Sequence, residues 1–384
     1  MNEYIVYKDK SLVNSNSPAT HVLIIGVGNY PHLPGGSSEH KTESHGGMKQ
    51  LSSPPLSARK IADWCAKKFK NRNKPLGSIS LLVSESNPAP LKFEGAQNSI
   101  IPKPANISNV KAAVEEWFEL GDKNEENLLV FFFCGHGIAK GIDEQALLLE
   151  DYGKSRLKPM EGSIDFMAFQ RGMRRCAASQ QCFFIDACRV ISDIAIDTTE
   201  KGDSIIQDSL ERPYSSIWEP SVFFSTVGGE AAYGRNNQVS LYTEHLLDAL
   251  NGTGSDDREP DGIWRVSTNH LQIALSESMR KNGPQIQVPM AGKMTKFYIN
   301  ELAEPPRVPV TIYCNPEIAN NQAKLSYLLN GNIFDTREPR PEPWIATIQC
   351  GYYEFVAEVL GIEKDRKNRS IRPPARDVEL EVKL

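Results

Sequence analysis

The chain has 384 residues, a formal net charge of −5, and 40% hydrophobic and 24% charged residues, a composition typical of a globular protein with more than one domain. The acidic balance argues against nucleic-acid binding, which needs a basic surface. No apolar run approaches the roughly 18 residues of a membrane helix, and residues 1–20 form a polar leader without the apolar segment of a secretory signal. We therefore expect a cytoplasmic protein without a nucleic-acid or membrane partner.

The cysteines and histidines give no sign of a metal, a cofactor or a disulfide framework. The seven cysteines are an odd number, scattered along the chain, with no paired C-x-x-C, which indicates buried thiols in a reducing compartment. His32, His40 and His45 fall in a long loop, 29–55, rich in Gly, Ser and Pro. We expect this loop to be solvated and to hold no metal.

Apolar strands and amphipathic helices alternate through the first three hundred residues. Strands are predicted at 21–28, 79–83, 128–135, 145–149, 182–187, 222–226 and 295–299, and helices from Ser57, from 107, and at 163–178, 240–252 and 267–282. The alternation predicts an α/β fold, a mostly parallel sheet with helices on both faces.

The chain changes character after Pro305-Pro306. Short segments that alternate apolar and polar residues, separated by Gly and Pro, predict a small antiparallel β-sandwich. The predicted organisation is a leader at 1–20, a domain at 21–303 and an accessory sandwich at 304–384. The sandwich carries no evident chemistry, so we expect it to dock a regulatory protein partner.

Two continuous apolar runs each end in a reactive side chain. The run 128–135 ends at His136, and the run 182–187 ends at Cys188. Runs of this kind are typical of strands buried on both faces. Because ligands of open α/β sheets bind beyond the carboxyl ends of the strands, His136 and Cys188 are expected at the functional edge.

The block Asp186-Ala187-Cys188-Arg189, with His136-Gly137 upstream, resembles the catalytic motif of the caspase-like cysteine peptidases (clan CD, family C14). The separation, 188 − 136 = 52 residues, matches their spacing. Asp two residues before the Cys is similar to metacaspases and paracaspases, whereas caspases proper carry Gln there. Glu230-Ala231-Ala232 and the segment 285–289 extend the resemblance to about residues 20–300.

The resemblance implies a cysteine endopeptidase that acts on protein substrates. Cys188 would be the nucleophile and His136 its proton carrier. The backbone N–H groups of Gly137 and Cys188 would hold the oxyanion. Asp186 would line the first subsite and bind Arg or Lys. Cell death or defence signalling is the role associated with such proteins.

Some features leave the specificity open. The second acid that metacaspase-like enzymes carry is replaced by Ser57, in Ser57-Ala58. Arg59 lies nearby, and caspases use Arg in this region to bind Asp, so Asp specificity is the alternative. Asp186 also fits a structural acid that caps the next turn. Cys134, two residues before His136, is interpreted as a packing residue.

Further alternatives concern activity and processing. One alternative is a catalytically silent interaction scaffold, although the intact His136 and Cys188 argue against it. Another is a cysteine hydrolase of small esters or amides. The polar stretch 190–220 resembles the linker that caspase-type enzymes cut on activation, with Lys201 and Arg212 suited to a basic-directed enzyme. An uncut loop fits this stretch as well.

Overall fold

The computed structural model describes residues 4–43, 45–93, 99–139, 144–158, 160–191, 202–206, 213–226, 235–256, 260–282 and 287–383. It divides the chain into two compact units. The first comprises Met1–Leu247 and Met279–Phe297, and the second Asp248–Ser278 and Tyr298–Leu384. The second unit thus includes residues 248–278 as well as the C-terminal segment.

The strands are, in chain order, β1 Ile5–Lys8, β2 Thr20–Val27, β3 Leu76–Ser84, β4 Leu128–Gly135, β5 Gly137–Ala139, β6 Gln145–Leu148, β7 Ser163–Asp165, β8 Gln180–Ala187, β9 Val190–Ile191, β10 Glu219–Phe224, β11 Trp264–Ser267, β12 Met290–Ala291, β13 Tyr298–Leu302, β14 Arg307–Asn315, β15 Ala323–Leu329, β16 Asn332–Arg337, β17 Trp344–Gln349, β18 Gly351–Val359, β19 Ile362–Ile371 and β20 Arg376–Glu381. The helices are α1 Lys10–Val13, α2 Ser53–Lys67, α3 Ile107–Asp122, α4 Phe166–Met173, α5 Leu241–Asp248 and α6 Thr268–Asn282. A π-helical turn, Ala249–Thr253, and a 3-10 turn, Glu317–Asn321, complete the described elements.

The first unit is built on a seven-stranded sheet with the order β1-β3-β2-β4-β8-β10-β12. The five central strands are parallel, and antiparallel strands β1 and β12 lie at the two edges. The predicted mostly parallel sheet is confirmed. Strand β1 comes from the segment expected to be a polar leader, and it pairs with β3 over only a few residues.

Helices cover both faces of this sheet. On one face, Phe131 of β4 lies 6.2 Å from Trp117 of α3 and 5.3 Å from Phe169 of α4 between ring centroids. On the other face α2 approaches β2 closely, because a Cβ on Gly26 would lie 2.6 Å from the Cβ of Ala58. Successive side chains of a strand point to opposite faces, so every strand residue between these layers is buried.

Helix α2 begins one turn earlier than predicted. Its first turn contains Pro54 and Pro55, whose fixed φ and missing N–H suit the first positions of a helix. The prediction that Ser57 caps this helix was wrong. Ser57 lies inside the helix and is fully buried.

The second unit contains a three-stranded sheet, β17-β14-β20, a four-stranded sheet, β16-β15-β18-β19, and the ribbon β11-β13. The pairs in these sheets are antiparallel except β14–β20, which is parallel. Alternate residues of β14 are buried, as the period-2 pattern predicts. Tyr327 lies at the centre of an aromatic cluster with Trp344, Tyr353 and Phe355. In the described parts of both units, no helix is long and apolar enough to cross a membrane.

A buried histidine on β2 makes stability depend on pH. His21 is 2% exposed, and its Nδ1 lies 2.9 Å from Ser78 Oγ. Burial, with smaller contributions from Lys123 and Lys8, lowers the pKa of His21 from 6.5 to about 4. Above pH 6.5 the ring is neutral in both the folded and the unfolded chain, so it contributes no pH dependence there.

Between pH 6.5 and 4 the unfolded chain gains a proton on this ring that the folded chain does not. The free energy of unfolding should therefore fall by about 3 kcal/mol from this group alone as the pH drops from 7 to 4. Urea unfolding at both pH values would measure it, and His21→Gln should lose about 3 kcal/mol less than the natural chain. Equal losses in the two proteins would contradict the prediction.

Candidate active site

The register between β4 and β8 sets His136 beside Cys188. Gly135 pairs with Ala187 before the two residues, and Ile138 pairs with Val190 after them. Both pairs are 52 apart in sequence, 187 − 135 and 190 − 138, as are His136 and Cys188. His136 and Cys188 therefore occupy equivalent positions directly beyond the ends of two adjacent, paired strands.

Pairing between the two segments is interrupted over two residues on each, His136-Gly137 and Cys188-Arg189. Beyond them the chain enters a second, four-stranded sheet of order β7-β6-β5-β9, in which β5 and β9 pair in parallel. His136 and Cys188 thus lie at the junction of two sheets, held by backbone hydrogen bonds on both sides. Side chains at such a break are firmly placed at the carboxyl edge, where ligands of α/β sheets bind.

The imidazole of His136 is oriented by a backbone carbonyl. Its Nε2 lies 2.6 Å from the carbonyl oxygen of Lys49. Because a carbonyl only accepts, Nε2 carries the hydrogen, and Nδ1 is the unprotonated nitrogen of the neutral ring. Burial lowers the pKa of His136, and the Lys49 hydrogen bond partly opposes this. The ring is therefore neutral near pH 7 and able to accept a proton.

Tyr30 also contacts His136, and sequence reasoning missed it. The backbone N–H of His136 donates to the Tyr30 hydroxyl at 2.8 Å, and the two ring centroids are 4.9 Å apart. Tyr30 lies in the loop predicted to be solvated, yet it is fully buried. The available signal was its position, three residues beyond Val27 at the end of β2, which is the same edge of the sheet.

Cys188 differs from the other cysteines in exposure. All seven cysteines lie in the described part of the chain, and none of them is joined in a disulfide there. Six of them are buried, whereas Cys188 is partly exposed. Burial raises the pKa of Cys65 to about 12 and raises that of Cys182 as well, so these thiols stay protonated. Cys188 is the thiol that solvent and ligands reach.

Gly137 lies directly against the backbone of Cys188. A Cβ at Gly137 would lie 2.5 Å from the carbonyl oxygen of Cys188 and 3.0 Å from the Cβ of Ala187. Gln145 Nε2 donates to the same carbonyl oxygen at 3.1 Å. Glycine is thus the residue that permits this close approach.

Asp186 lies near the end of β8 and precedes Cys188 by two residues. It is 4% exposed. Its Oδ2 accepts hydrogen bonds from Ser240 Oγ, from Thr243 Oγ1 at 2.8 Å and from Cys134 Sγ at 3.3 Å. Burial raises the pKa of Asp186, and these three donors oppose the rise.

No Lys, Arg or His in the described ranges forms an ion pair with Asp186. Buried carboxylates are normally paired with a cation because desolvation of an isolated charge is costly. Among the described residues, the side chains that contact the Asp186 carboxylate are neutral hydrogen-bond donors.

The three donors to Asp186 come from β4 and from the start of α5, which α2 contacts in turn. Cys134 of β4 pairs in register with Asp186; it is buried, as its interpretation as a packing residue requires, and its thiol also donates to the carboxylate. Ser240 precedes α5, Thr243 lies within it, and Ser57 Oγ of α2 accepts the Ser240 N–H at 3.0 Å. Ser240 and Thr243 were not foreseen, since they are distant from Asp186 in sequence.

Arg59 is already engaged. Its guanidinium forms an ion pair with Glu85 and donates to the carbonyl oxygen of Ala89 at 2.6 Å. Both contacts are made by one terminal nitrogen, Nη2, so an acidic ligand at Arg59 would share the guanidinium with the Glu85 carboxylate.

Several predicted features fall outside the described residues, namely Lys201, Arg212, Glu230, Ala231, Ala232, Gln285 and Ile286. Of the loop histidines, His32 Nδ1 lies 3.2 Å from the carbonyl oxygen of His40. Within the residues that the structure describes, no three His, Cys, Asp or Glu side chains are grouped to hold a metal ion.

The difference in exposure predicts selective labelling. Iodoacetamide applied to the folded protein should modify Cys188 first, because the thiolate reacts only where the reagent reaches it. Peptide mapping by mass spectrometry would identify the site, with Cys188→Ser as the control that loses this early modification. Early labelling spread evenly over Cys65, Cys182 and Cys188 would contradict the predicted selectivity.

Known proteins resemble the chain in sequence and in structure. "Uncharacterized protein y4kE" of Sinorhizobium fredii is 28% identical over 218 residues, which are 56% of this chain and 61% of that protein. Among solved structures, protein GSU0716 from Geobacter sulfurreducens aligns with a TM-score of 0.42 and 11% identity, over 72% of this chain and 94% of its own. Caspase-1 from Spodoptera frugiperda aligns with a TM-score of 0.41 and 12% identity, over 74% and 89%.

The family assignment rests on a match that covers the sheet edge just described. The model of the caspase domain, peptidase family C14, matches residues 83–295. This range contains His136, Gly137, Asp186 and Cys188, and it is more than half of the 384 residues. The chain therefore belongs to the caspase-domain family of peptidases.

Proposed function

We propose that this chain is a cysteine endopeptidase that cleaves protein substrates after Lys or Arg, with Cys188 as nucleophile and His136 as proton carrier. The observation that carries the proposal is the shared register, which sets a neutral imidazole beside the one partly exposed cysteine. Covalent catalysis needs a nucleophile and a base that are close in space, and their origin at two adjacent strand ends supports this pairing.

The proposed reaction has two steps. Nδ1 of His136 takes the Cys188 proton, and the thiolate attacks the carbonyl carbon of the scissile bond. The oxyanion that forms accepts hydrogen bonds from the backbone N–H groups of Gly137 and Cys188. The imidazolium then protonates the leaving amine as the C–N bond breaks. Water attacks the resulting thioester, gives its proton to His136 and releases the acid.

The preference for Lys or Arg rests on Asp186. A side chain that leaves the substrate next to the scissile carbonyl must reach past Cys188 to this carboxylate, which precedes it by two residues. Lys and Arg are the side chains that combine length with a positive charge. The positive charge of either side chain would form an ion pair with the buried carboxylate of Asp186, which has only neutral donors among its described neighbours.

Asp specificity is less well supported. It would need Arg59 free to bind the substrate carboxylate, and Arg59 is paired with Glu85. Asp186, two residues before Cys188, is a metacaspase-like feature. The second acid of such enzymes is replaced here by Ser57. We therefore propose a basic pocket with a single carboxylate. The proposal has three further parts. The second unit would bind a regulatory protein, the chain would act in the cytoplasm in cell death or defence, and it would be cut within 190–220.

A panel of fluorogenic peptides with Lys, Arg, Asp or Leu before the scissile bond tests the function. We expect cleavage after Lys and Arg only, and a loss of at least about 1,000-fold in kcat for Cys188→Ala and His136→Ala. Asp186→Asn should lower kcat/KM for basic peptides by about 100-fold, since it removes the charge that pairs with the ligand.

The outcomes separate the alternatives. Cleavage after Asp that is lost in Arg59→Ala would overturn the assignment of Asp186. Hydrolysis of small esters without peptide cleavage would indicate a different class of cysteine hydrolase. No turnover, although Cys188 is modified by a peptide chloromethyl ketone, would indicate a latent enzyme, whereas no modification would favour the interaction scaffold.

A further inference from the structure

We propose that Tyr30 is a positioning residue for His136, and that Gln50 ties together the two contacts that hold this histidine. The inference rests on the proposed role of His136 as the proton carrier. It concerns residues outside the sequence motif that defines the site. It also means that the loop 29–51 holds His136 in position for the reaction.

The first step of the argument is the backbone of His136. Strand β2 lies beside β4, but it ends at Val27, and the next two N–H groups, of Gly28 and Asn29, both donate to Ser84 of β3. The neighbouring strand therefore ends before the level of His136. The Tyr30 hydroxyl takes its place and accepts the His136 N–H at 2.8 Å. A buried N–H needs such an acceptor.

The second step is the fit of the tyrosine. Its hydroxyl also donates to the carbonyl oxygen of Leu148 at 3.3 Å, so it links His136 to β6. A Cβ at Gly135 would lie 2.9 Å from this hydroxyl, so the glycine is what admits it. Burial raises the pKa of Tyr30, which keeps the hydroxyl protonated. The Tyr30 ring is fully buried, and solvent does not replace its contacts.

The third step is the connection between the two ends of the loop. Gln50 Oε1 accepts the Tyr30 N–H at 2.8 Å, and Gln50 Nε2 donates to the Tyr30 carbonyl at 2.9 Å. The preceding residue, Lys49, offers the carbonyl that binds Nε2 of His136 at 2.6 Å. One amide side chain therefore joins the residue that holds the backbone of His136 to the residue that holds its ring.

Tyr30 and Gln50 would therefore affect the reaction rate without contacting the substrate. A proton carrier that is displaced by a fraction of an ångström transfers protons much more slowly. Tyr30 and Gln50 act on the position of His136, so their loss should lower kcat and leave KM nearly unchanged. A merely structural role would change stability and leave the chemistry of the folded protein as it was.

Tyr30→Phe removes only the hydroxyl and is the test variant. Tyr152→Phe is the matched control, because Tyr152 is equally buried in the same unit and is not part of the site. We expect Tyr30→Phe to lower kcat on a Lys peptide by about 10-fold or more, with KM within about twofold. The rate of Cys188 alkylation by iodoacetamide, followed against pH, should have its midpoint moved upward, since His136 supports the thiolate less well.

An unchanged kcat together with an alkylation profile like that of Tyr152→Phe would overturn the proposal. If Tyr30→Phe does not fold, as judged by thermal melting, Gln50→Ala decides, with the same expected directions. The alkylation profile needs no substrate. A natural chain that cleaves no peptide therefore counts against the proposed function, while the profile still tests Tyr30.

Discussion

The parallel register between β4 and β8 is the constraint on which the site depends. A slip by one residue would turn every side chain of one strand to the opposite face, and a slip by two would move Cys188 away from His136 by about 6.6 Å. Both faces of these strands are apolar, so hydrophobic burial alone distinguishes the registers weakly. The hydrogen bond from Cys134 to Asp186 is different, because a slip of one residue would set the buried carboxylate opposite Phe133 or Gly135, neither of which has a side-chain donor. The acid that we assign to the substrate pocket thus also stabilises the pairing that forms the site.

Burial moves the pKa values of the two ionisable groups of the site in opposite directions. It lowers the pKa of His136 and raises that of Asp186, and in both cases it favours the neutral form. For the histidine the result is a ring ready to take a proton. For Asp186 the three donors restore part of the stability of the carboxylate, and a bound cation would restore more. Exclusion of water therefore acts on both Asp186 and His136, and it also strengthens the electrostatic interactions that they make.

The parts that the sequence predicted are those with local signals. Continuous apolar runs identified β4 and β8 because strands buried on both faces have that pattern, and the abrupt change to polar residues marked His136 and Cys188. Tyr30, Ser57, Ser240 and Thr243 were not assigned roles at the site. They come from the loop 29–51, from α2 and from the start of α5, and the packing of these three parts against the sheet edge brings them together. Strand β1 was missed because an edge strand of four residues, IVYK, leaves a weak pattern.

The short strands β5 and β9 affect how far the position of Cys188 depends on the chain that follows Ile191. They pair immediately after the reactive residues, so Cys188 is anchored by the main sheet on one side and by the second sheet on the other. The position of the thiol then does not depend on the covalent path by which the chain continues beyond Ile191. Insertions, deletions or a break in that onward path would leave both anchors in place. A change in the connection would therefore leave Cys188 between the same two sheets.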